Sequence, residues 1–258
     1  MLFLKDNKIS ARFLEGRWFD TGTHDSLVQA ASFIMQLERP AGVKDVAPVE
    51  PKNKIAAGFI LYNAIKYLPD FLRSLKAQNY PNIQLIALDN NAEENNNDVL
   101  FLRENYPEVK IVRPGFNTGF GSGHNIMIKM AKEEGADFYA AFNFDIIFEY
   151  DFLRELLNQM LKNPMVGSAA GKIRRWDFEN KDRWGNDGKT NFIDSTGMTI
   201  TKGHRFLDRG QGDIDHGQYD SEEEIFGASG AAVLYRMSSL EDIAYINKLG
   251  QKEYFDQL

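Results

Sequence analysis

Cysteine is absent from the 258 residues, which removes disulfide frameworks, thiolate metal sites and thiol nucleophiles together and fits a reducing compartment. The cytoplasm is therefore the expected location. No apolar run approaches the roughly 20 residues that a bilayer-spanning helix needs. The longest, Ile55 to Tyr62, has the length of a strand. At the start of the chain, Met1-Leu2-Phe3-Leu4 is broken at once by Lys5, Asp6, Asn7 and Lys8, so no export signal is expected. Basic charge is also in short supply. Thirty Lys and Arg against 37 Asp and Glu leave a net charge of −7, with a pI near 5.2, so nucleic acid is not an expected partner. What remains is an ordinary globular composition, 43% hydrophobic, 12% aromatic and 26% charged, of a size that suits one domain with an appendage.

The first 40 residues read as a hairpin, with Leu2 to Leu4 and Ile9 to Leu14 as strands, followed by a helix from Thr23 to Leu37. Residues 41–54, flanked by Pro40 and holding Pro48 and Pro51, read as a linker. From Ile55 onward, strands and helices alternate. Strands are expected at 55–62, 85–88, 109–112 and 138–142, and helices at 67–77, 98–105, 123–134 and 151–161. That rhythm implies an α/β fold with a mostly parallel sheet covered by helices on both faces. Residues 174–225, rich in Gly, Asp and Arg, are expected to be irregular or antiparallel, before an apolar strand at 231–235.

In an open α/β sheet, ligands bind beyond the carboxyl ends of the strands. Polar residues stand at each of those ends: Tyr62 and Asn63, then Asp89, Asn90 and Asn91, then Asn117, and finally Asn143 and Asp145. Any one of them is equally readable as a turn former or a helix cap; four in series point to a site. Gly119, Gly121 and Gly123 are expected in a loop before a helix, where backbone could approach a phosphate or a sugar. The spacing matches neither the dinucleotide fingerprint nor the phosphate loop of nucleoside triphosphatases. Asp145, after an apolar strand, either caps the next helix or meets a hard divalent cation completed by substrate phosphate. The four histidines show no metal-ligand spacing, the acidic run 213–224 lacks the residues of a calcium loop, and Ser229 is not in a nucleophile elbow. Trp176 and Trp184, among basic residues, suit either a sugar contact or packing at the edge of the core.

The runs FILYN, LIALDNNAEENN, NTGFGSGHNIMIK, FNFD, FIDSTGMTI, DRGQGDIDHGQYD and EEIFGASGAAVLYR occur in an order and spacing that resemble family 2 glycosyltransferases of the GT-A fold, especially rhamnosyltransferase-like members. The resemblance covers residues 55–258 and implies an inverting transferase with a Rossmann-like GT-A sheet. It implies that Tyr62, Asn63, Asp89 and Asn90 hold the nucleoside of a sugar nucleotide, with Asn117, Gly119, Phe120, Gly121 and Asn125 passing beside it. Asn143 would sit where many members have the first aspartate of an Asp-x-Asp motif. Asp145 would carry Mg²⁺ or Mn²⁺ and the diphosphate. Gly227, Ser229 and Gly230 would lie near the donor sugar or the acceptor. The implied partners are a nucleotide-diphosphate sugar, with dTDP-rhamnose favoured, and a glycan or lipid-linked glycan acceptor for cell-wall polysaccharide, reached by peripheral association with a membrane. The family's general base is expected in an acidic motif after Leu258, and no catalytic residue is assigned.

Residues 13–34, FLEGRWFDTGTHDSLVQAASFI, resemble the C-terminal part of a glucose-1-phosphate thymidylyltransferase, in which the residue matching Asp20 helps bind the catalytic metal. This implies a fused nucleotidyltransferase remnant at 1–40 and a glycosyltransferase truncated at its C-terminus. A nucleotide-sugar-binding fragment without transferase activity, or part of a bifunctional fusion, are the alternative readings.

Overall fold

The computed structural model describes residues 52–256 except 92, 94, 180–187 and 222. The chain divides into Met1–Glu50 and Pro51–Leu258. The expected N-terminal hairpin and helix, Asp20 and all but the end of the expected linker lie outside the described residues, as does Trp184.

In chain order the second unit contains β1 (Ile55–Leu61), α1 (Leu68–Lys76), β2 (Ile83–Asp89), α2 (Asn97–Asn105), β3 (Lys110–Val112) and α3 (Gly119–Glu133). It continues with β4 (Phe138–Phe142), α4 (Phe152–Lys162), β5 (Ser168–Ala170), β6 (Ile173–Trp176), β7 (Lys189–Ser195), β8 (Met198–Ile200) and β9 (Phe206–Asp208). The last elements are β10 (Ala232–Arg236), α5 (Met237–Ile243), β11 (Tyr245–Ile246) and β12 (Lys252–Glu253). The central sheet has the order β3-β2-β1-β4-β10-β5, with β1 to β4 parallel and β10 antiparallel to both its neighbours. The expected mostly parallel α/β sheet is present. Between β5 and β10 the chain forms two short antiparallel ladders, β6 with β7 and β8 with β9, as the loss of helical periodicity indicated.

Strand alternation assigns the two cores. Ile55, Ala57, Phe59 and Leu61 of β1 share a cluster with α1, α2 and α4 residues, while Ala56 joins Met127, Ile128 and Ala131 of α3 and Leu240 of α5. With helices on both faces, β1 reads as a continuous apolar run and not as an alternating one. In α1, Leu68, Phe71, Leu72 and Leu75 fall on one stripe, and Pro69 in the first turn costs no helical hydrogen bond. Each of these fully buried side chains contributes about 1.5–3 kcal/mol of transfer free energy.

On the α3 face, the His124 ring is fully buried, with Nδ1 2.7 Å from the Tyr139 hydroxyl. Its Nε2 has no hydrogen-bond partner among the described residues. The rings of Phe120, Tyr139 and Phe255 surround it, and this desolvation pulls its pKa from 6.5 down to about 4. The unfolded chain therefore binds this proton more readily than the folded one. The stability from burying the neutral ring is fully present above pH 6.5 and is lost as pH falls toward 4. Between pH 7 and pH 5 the loss is about 2 kcal/mol. Urea midpoints measured across that range fall for the wild type, and His124→Gln, which cannot titrate, removes this part of the slope.

Candidate functional site

The chain runs outward from β1 to β3 and then returns past β1 to β4, so the connections diverge at the carboxyl ends of β1 and β4. A cavity of about 510 Å³ lies beside this point, lined by Tyr62, Asn63 and Ile65 after β1, by Asn90, Asn91, Glu93 and residues 95–98 after β2, and by Asn117 after β3. The structure thus brings Tyr62, Asn63, Asn90 and Asn117 around one cavity.

Asp89, at the last position of β2 and directly before the cavity-lining Asn90, has 1% of its surface exposed. Its Oδ1 accepts from the backbone N–H of Asn91 (3.1 Å) and from Asn91 Nδ2 (2.9 Å). Asn96 Nδ2 donates to both carboxylate oxygens, at 3.2 and 3.0 Å, and Arg113 Nε donates to Oδ2 at 2.8 Å. A carboxylate this buried needs such donors, and here they come from two segments of the chain, the loop after β2 and the residue after β3. Asp89 therefore organises the loop that lines the cavity. Arg113 also donates to the Glu93 carbonyl, and Asn96 caps α2 by accepting from Val99 N–H at 3.1 Å.

A second buried carboxylate, Asp98, accepts from Ala64 N–H at 2.9 Å and from Asn91 Nδ2 at 3.2 Å, and so ties the β1 loop to the β2 loop. Asn63 turns the chain out of β1 with φ +54°, a left-handed conformation that asparagine tolerates better than branched residues. Neither Asp98 nor Arg113 stood out in the sequence. The density of asparagine at 90, 91, 95, 96 and 97 was the available signal, since amides both donate and accept.

Asn90 holds the third loop. Its Oδ1 accepts from Thr118 N–H (3.0 Å) and from Thr118 Oγ1 (2.9 Å), and Asn117 Oδ1 accepts from Gly119 N–H at 2.9 Å. These bonds engage two of the backbone donors at the start of α3, those of Thr118 and Gly119. The glycine segment itself departs from expectation. The helix starts at Gly119, not Gly123, so Gly121 and Gly123 lie within it. Their small size serves packing: a Cβ on Gly121 would lie 2.6 Å from the Asp256 carbonyl oxygen, and one on Gly123 would lie 2.8 Å from Ile60 Cδ1. Only Gly119, at φ +70°, needs glycine for its backbone conformation.

Asn125 stands apart from the cavity. Buried to 2% exposure, it accepts from the N–H groups of Tyr254 (3.0 Å) and Phe255 (2.9 Å) and donates to the Phe255 carbonyl (2.8 Å). Its amide pins the last described segment to α3. Glu241 reinforces this attachment through Lys132, Lys252 and the Tyr254 hydroxyl, and these hydrogen bonds, led by Lys132, hold its pKa down at about 2.

Gly227, Ser229 and Gly230 lie on the approach to β10. Gly230 faces the Phe120 ring, which a Cβ would meet at 3.5 Å, and the neighbouring Ala231 carbonyl accepts from Asn143 N–H at 2.9 Å. Phe120 and the end of β4 thus both border this segment. Gly227 accepts from Met198 N–H at 2.7 Å, joining the segment to β8. Asp145, three residues beyond β4, is exposed and has no hydrogen bond or ion pair among the described residues. It does not cap α4, whose N-cap is Asp151. No group of three or more His, Asp or Glu that could hold a metal occurs among the described residues. Among those residues, too, no helix is long and apolar enough to cross a membrane.

No curated protein sequence matches this chain. The solved structure of Staphylococcus aureus TarS 1-349 is similar over 73% of this chain and 48% of its own, with 18% identity and a TM-score of 0.47. The mannosyltransferase PcManGT from Pyrobaculum calidifontis, solved with GDP-Man and Mn²⁺, is similar over 60% of this chain and 45% of its own, with 19% identity and a TM-score of 0.42. The chain thus spans about half the length of the solved structures it matches. The model of glycosyl transferase family 2 matches residues 59–243, from the middle of β1 to the end of α5, and so takes in the cavity, Asp89, Asp145 and the Gly227–Gly230 segment. The chain belongs to glycosyl transferase family 2.

Proposed function

We propose that this chain binds a nucleoside-diphosphate sugar in the asparagine-lined cavity and transfers the sugar, with inversion, to a hydroxyl of a glycan acceptor. The observation that carries this reading is the cavity's place at the carboxyl ends of β1 to β3, built on a buried carboxylate and walled by amides. Amide and aromatic groups suit a nucleoside, which offers ring nitrogens, carbonyls and ribose hydroxyls within one flat and one puckered ring. Tyr62, Asn63, Asn90 and Asn117 would contact it, with Asp89 and Arg113 holding the wall in place. Gly227, Ser229 and Gly230 would border the sugar or the acceptor.

Mg²⁺ or Mn²⁺ fits this arrangement as a shared ligand. Asp145 offers one exposed carboxylate without a partner among the described residues, and Asn143 offers a neutral oxygen two residues earlier. A hard cation would draw its remaining ligands from diphosphate oxygens and water. When bound, it neutralises charge on the departing diphosphate. The favoured donor is dTDP-rhamnose, supported by the two sequence resemblances, and the favoured acceptor is a lipid-linked glycan.

Calorimetric titration of thymidine, uridine and guanosine diphosphates, with and without Mn²⁺, tests this reading on wild type and Asp145→Ala. Mn²⁺-dependent binding, weakened at least about tenfold in the variant, is the expected result, equivalent to about 1.4 kcal/mol. A folded protein that binds none of the three contradicts the assignment.

A further inference from the structure

We propose that the β8–β9 hairpin is a docking element for an anionic lipid surface; this rests on the reading of the acceptor as a lipid-linked glycan. The hairpin carries Ile200 on β8 and Phe206 and Leu207 on β9, exposed to 41%, 56% and 51%. Phe226, 60% exposed, brings its ring centroid to 5.4 Å from that of Phe206. Leaving this much aromatic and aliphatic surface in water is unfavourable, and nothing among the described residues covers it.

The turn between the strands adds charge. Lys202, His204 and Arg205 are exposed there, with no ion pair among the described residues, in a chain whose net charge is −7. Of the nearby acids among the described residues, Asp208 accepts from Ser195 Oγ at 2.7 Å and Glu223 pairs with Arg209, while Glu224 stands in the segment leading to Phe226. The turn is also pre-formed. Thr201 N–H donates to the Arg205 carbonyl at 2.9 Å, His204 N–H donates to the Thr201 carbonyl at 2.9 Å, and Arg205 N–H donates to Thr201 Oγ1 at 3.2 Å. His204 closes the turn at φ +56°.

Phe206 and Leu207 are consecutive strand residues, so they point to opposite faces of the hairpin, yet both are exposed. A protein partner lying against one face would leave the other wet. A lipid interface that receives the tip surrounds both faces, and anionic headgroups meet Lys202 and Arg205. The hairpin is tied to the transfer site through the Met198–Gly227 bridge. Docking would therefore bring the Gly227–Gly230 segment to the surface on which a lipid-linked acceptor resides.

The test is co-sedimentation of the full chain, without nucleotide, with vesicles of phosphatidylcholine alone or mixed with phosphatidylglycerol. Wild type is expected to pellet with the mixed vesicles and to be released by salt. Lys202→Glu with Arg205→Glu, and separately Phe206→Ser with Leu207→Ser, should each weaken binding at least about tenfold. All four side chains are exposed, and circular dichroism with nucleotide titration verifies that each variant keeps its fold and its cavity. Failure of wild type to bind mixed vesicles, equal binding to neutral ones, or binding unchanged by both double variants would overturn the proposal. So would a shift from dimer to monomer caused by the Phe206 and Leu207 changes without vesicle binding, which would mark a contact between copies. Nucleotide titration of the wild type separates these outcomes from a failure of the donor-site reading.

Discussion

Asp89→Ala is expected to weaken nucleoside diphosphate binding at least about a hundredfold and to lower stability by about 3 kcal/mol, the range for removing one member of a buried ion pair. The carboxylate is the acceptor for Asn91, Asn96 and Arg113 at once, so its loss leaves the side-chain donors of Asn91 with only Asp98, and those of Asn96 and Arg113 with only the Glu93 carbonyl, among the described residues, with a guanidinium charge uncompensated. Arg113 keeps 23% side-chain exposure and can rehydrate, which places the stability cost at the lower end of that range. The amides cannot swing to water without opening the 90–97 loop, and that loop forms a wall of the cavity. Asp89→Asn preserves shape and one acceptor oxygen and should fall between wild type and alanine in both quantities. Calorimetry for binding and urea unfolding for stability separate the two effects. A full-strength alanine variant would show that the loop is held by other means.

Gly58→Ala should cost about 3 kcal/mol, a large penalty for one methyl group. Gly58 faces the α3 side of β1, where a Cβ would lie 2.1 Å from the Tyr139 hydroxyl oxygen and 2.8 Å from its Cζ. The Tyr139 ring is fully buried and its hydroxyl meets His124, so it has no empty space to enter. Burial also raises the pKa of this hydroxyl well above that of free tyrosine, which keeps it neutral. Tyr139→Phe removes the 2.1 Å contact but leaves the ring carbon close, and it deprives His124 Nδ1 of its partner. The double variant should therefore be more stable than the sum of single effects by at least about 1 kcal/mol, read from a double-mutant cycle. Strict additivity would mean that the methyl is accommodated by movement of the strand.

The parts of this molecule legible in the sequence were those fixed by local periodicity. The continuous apolar run at Ile55, the stripe Leu68, Phe71, Leu72 and Leu75, and the polar residues after each parallel strand sufficed for the layered sheet and for one wall of the cavity. Strand direction was not legible in the same way. An apolar strand at 231–235 was expected, but its antiparallel pairing with β4 depends on how the 171–231 excursion returns, which no local pattern encodes. The start of α3 was misplaced for a related reason. Glycine is a poor helix former, yet the close approaches of Ile60 and Asp256 make glycine necessary inside the helix.

Long-range hydrogen bonding hid the rest. Asn125 carries the same chemistry as the asparagines of the cavity, and only its contact with a backbone about 130 residues away shows that it serves the fold. Arg113 was equally silent, because its partner Asp89 lies on a neighbouring strand. Tyr62, Asn63 and Asn117 share one cavity, whereas Asp145 and the Gly227–Gly230 segment lie outside its lining, after β4 and before β10.

The most direct test of the donor site is hydrogen–deuterium exchange of the full chain with and without thymidine or uridine diphosphate and Mn²⁺. The account predicts slower exchange in peptides covering 62–65, 89–98 and 117–121, and no change around Asn53, Phe138 and Arg236, which line a cavity at the opposite ends of the strands. Protection confined to that second cavity, with the asparagine-rich loop unchanged, would contradict it.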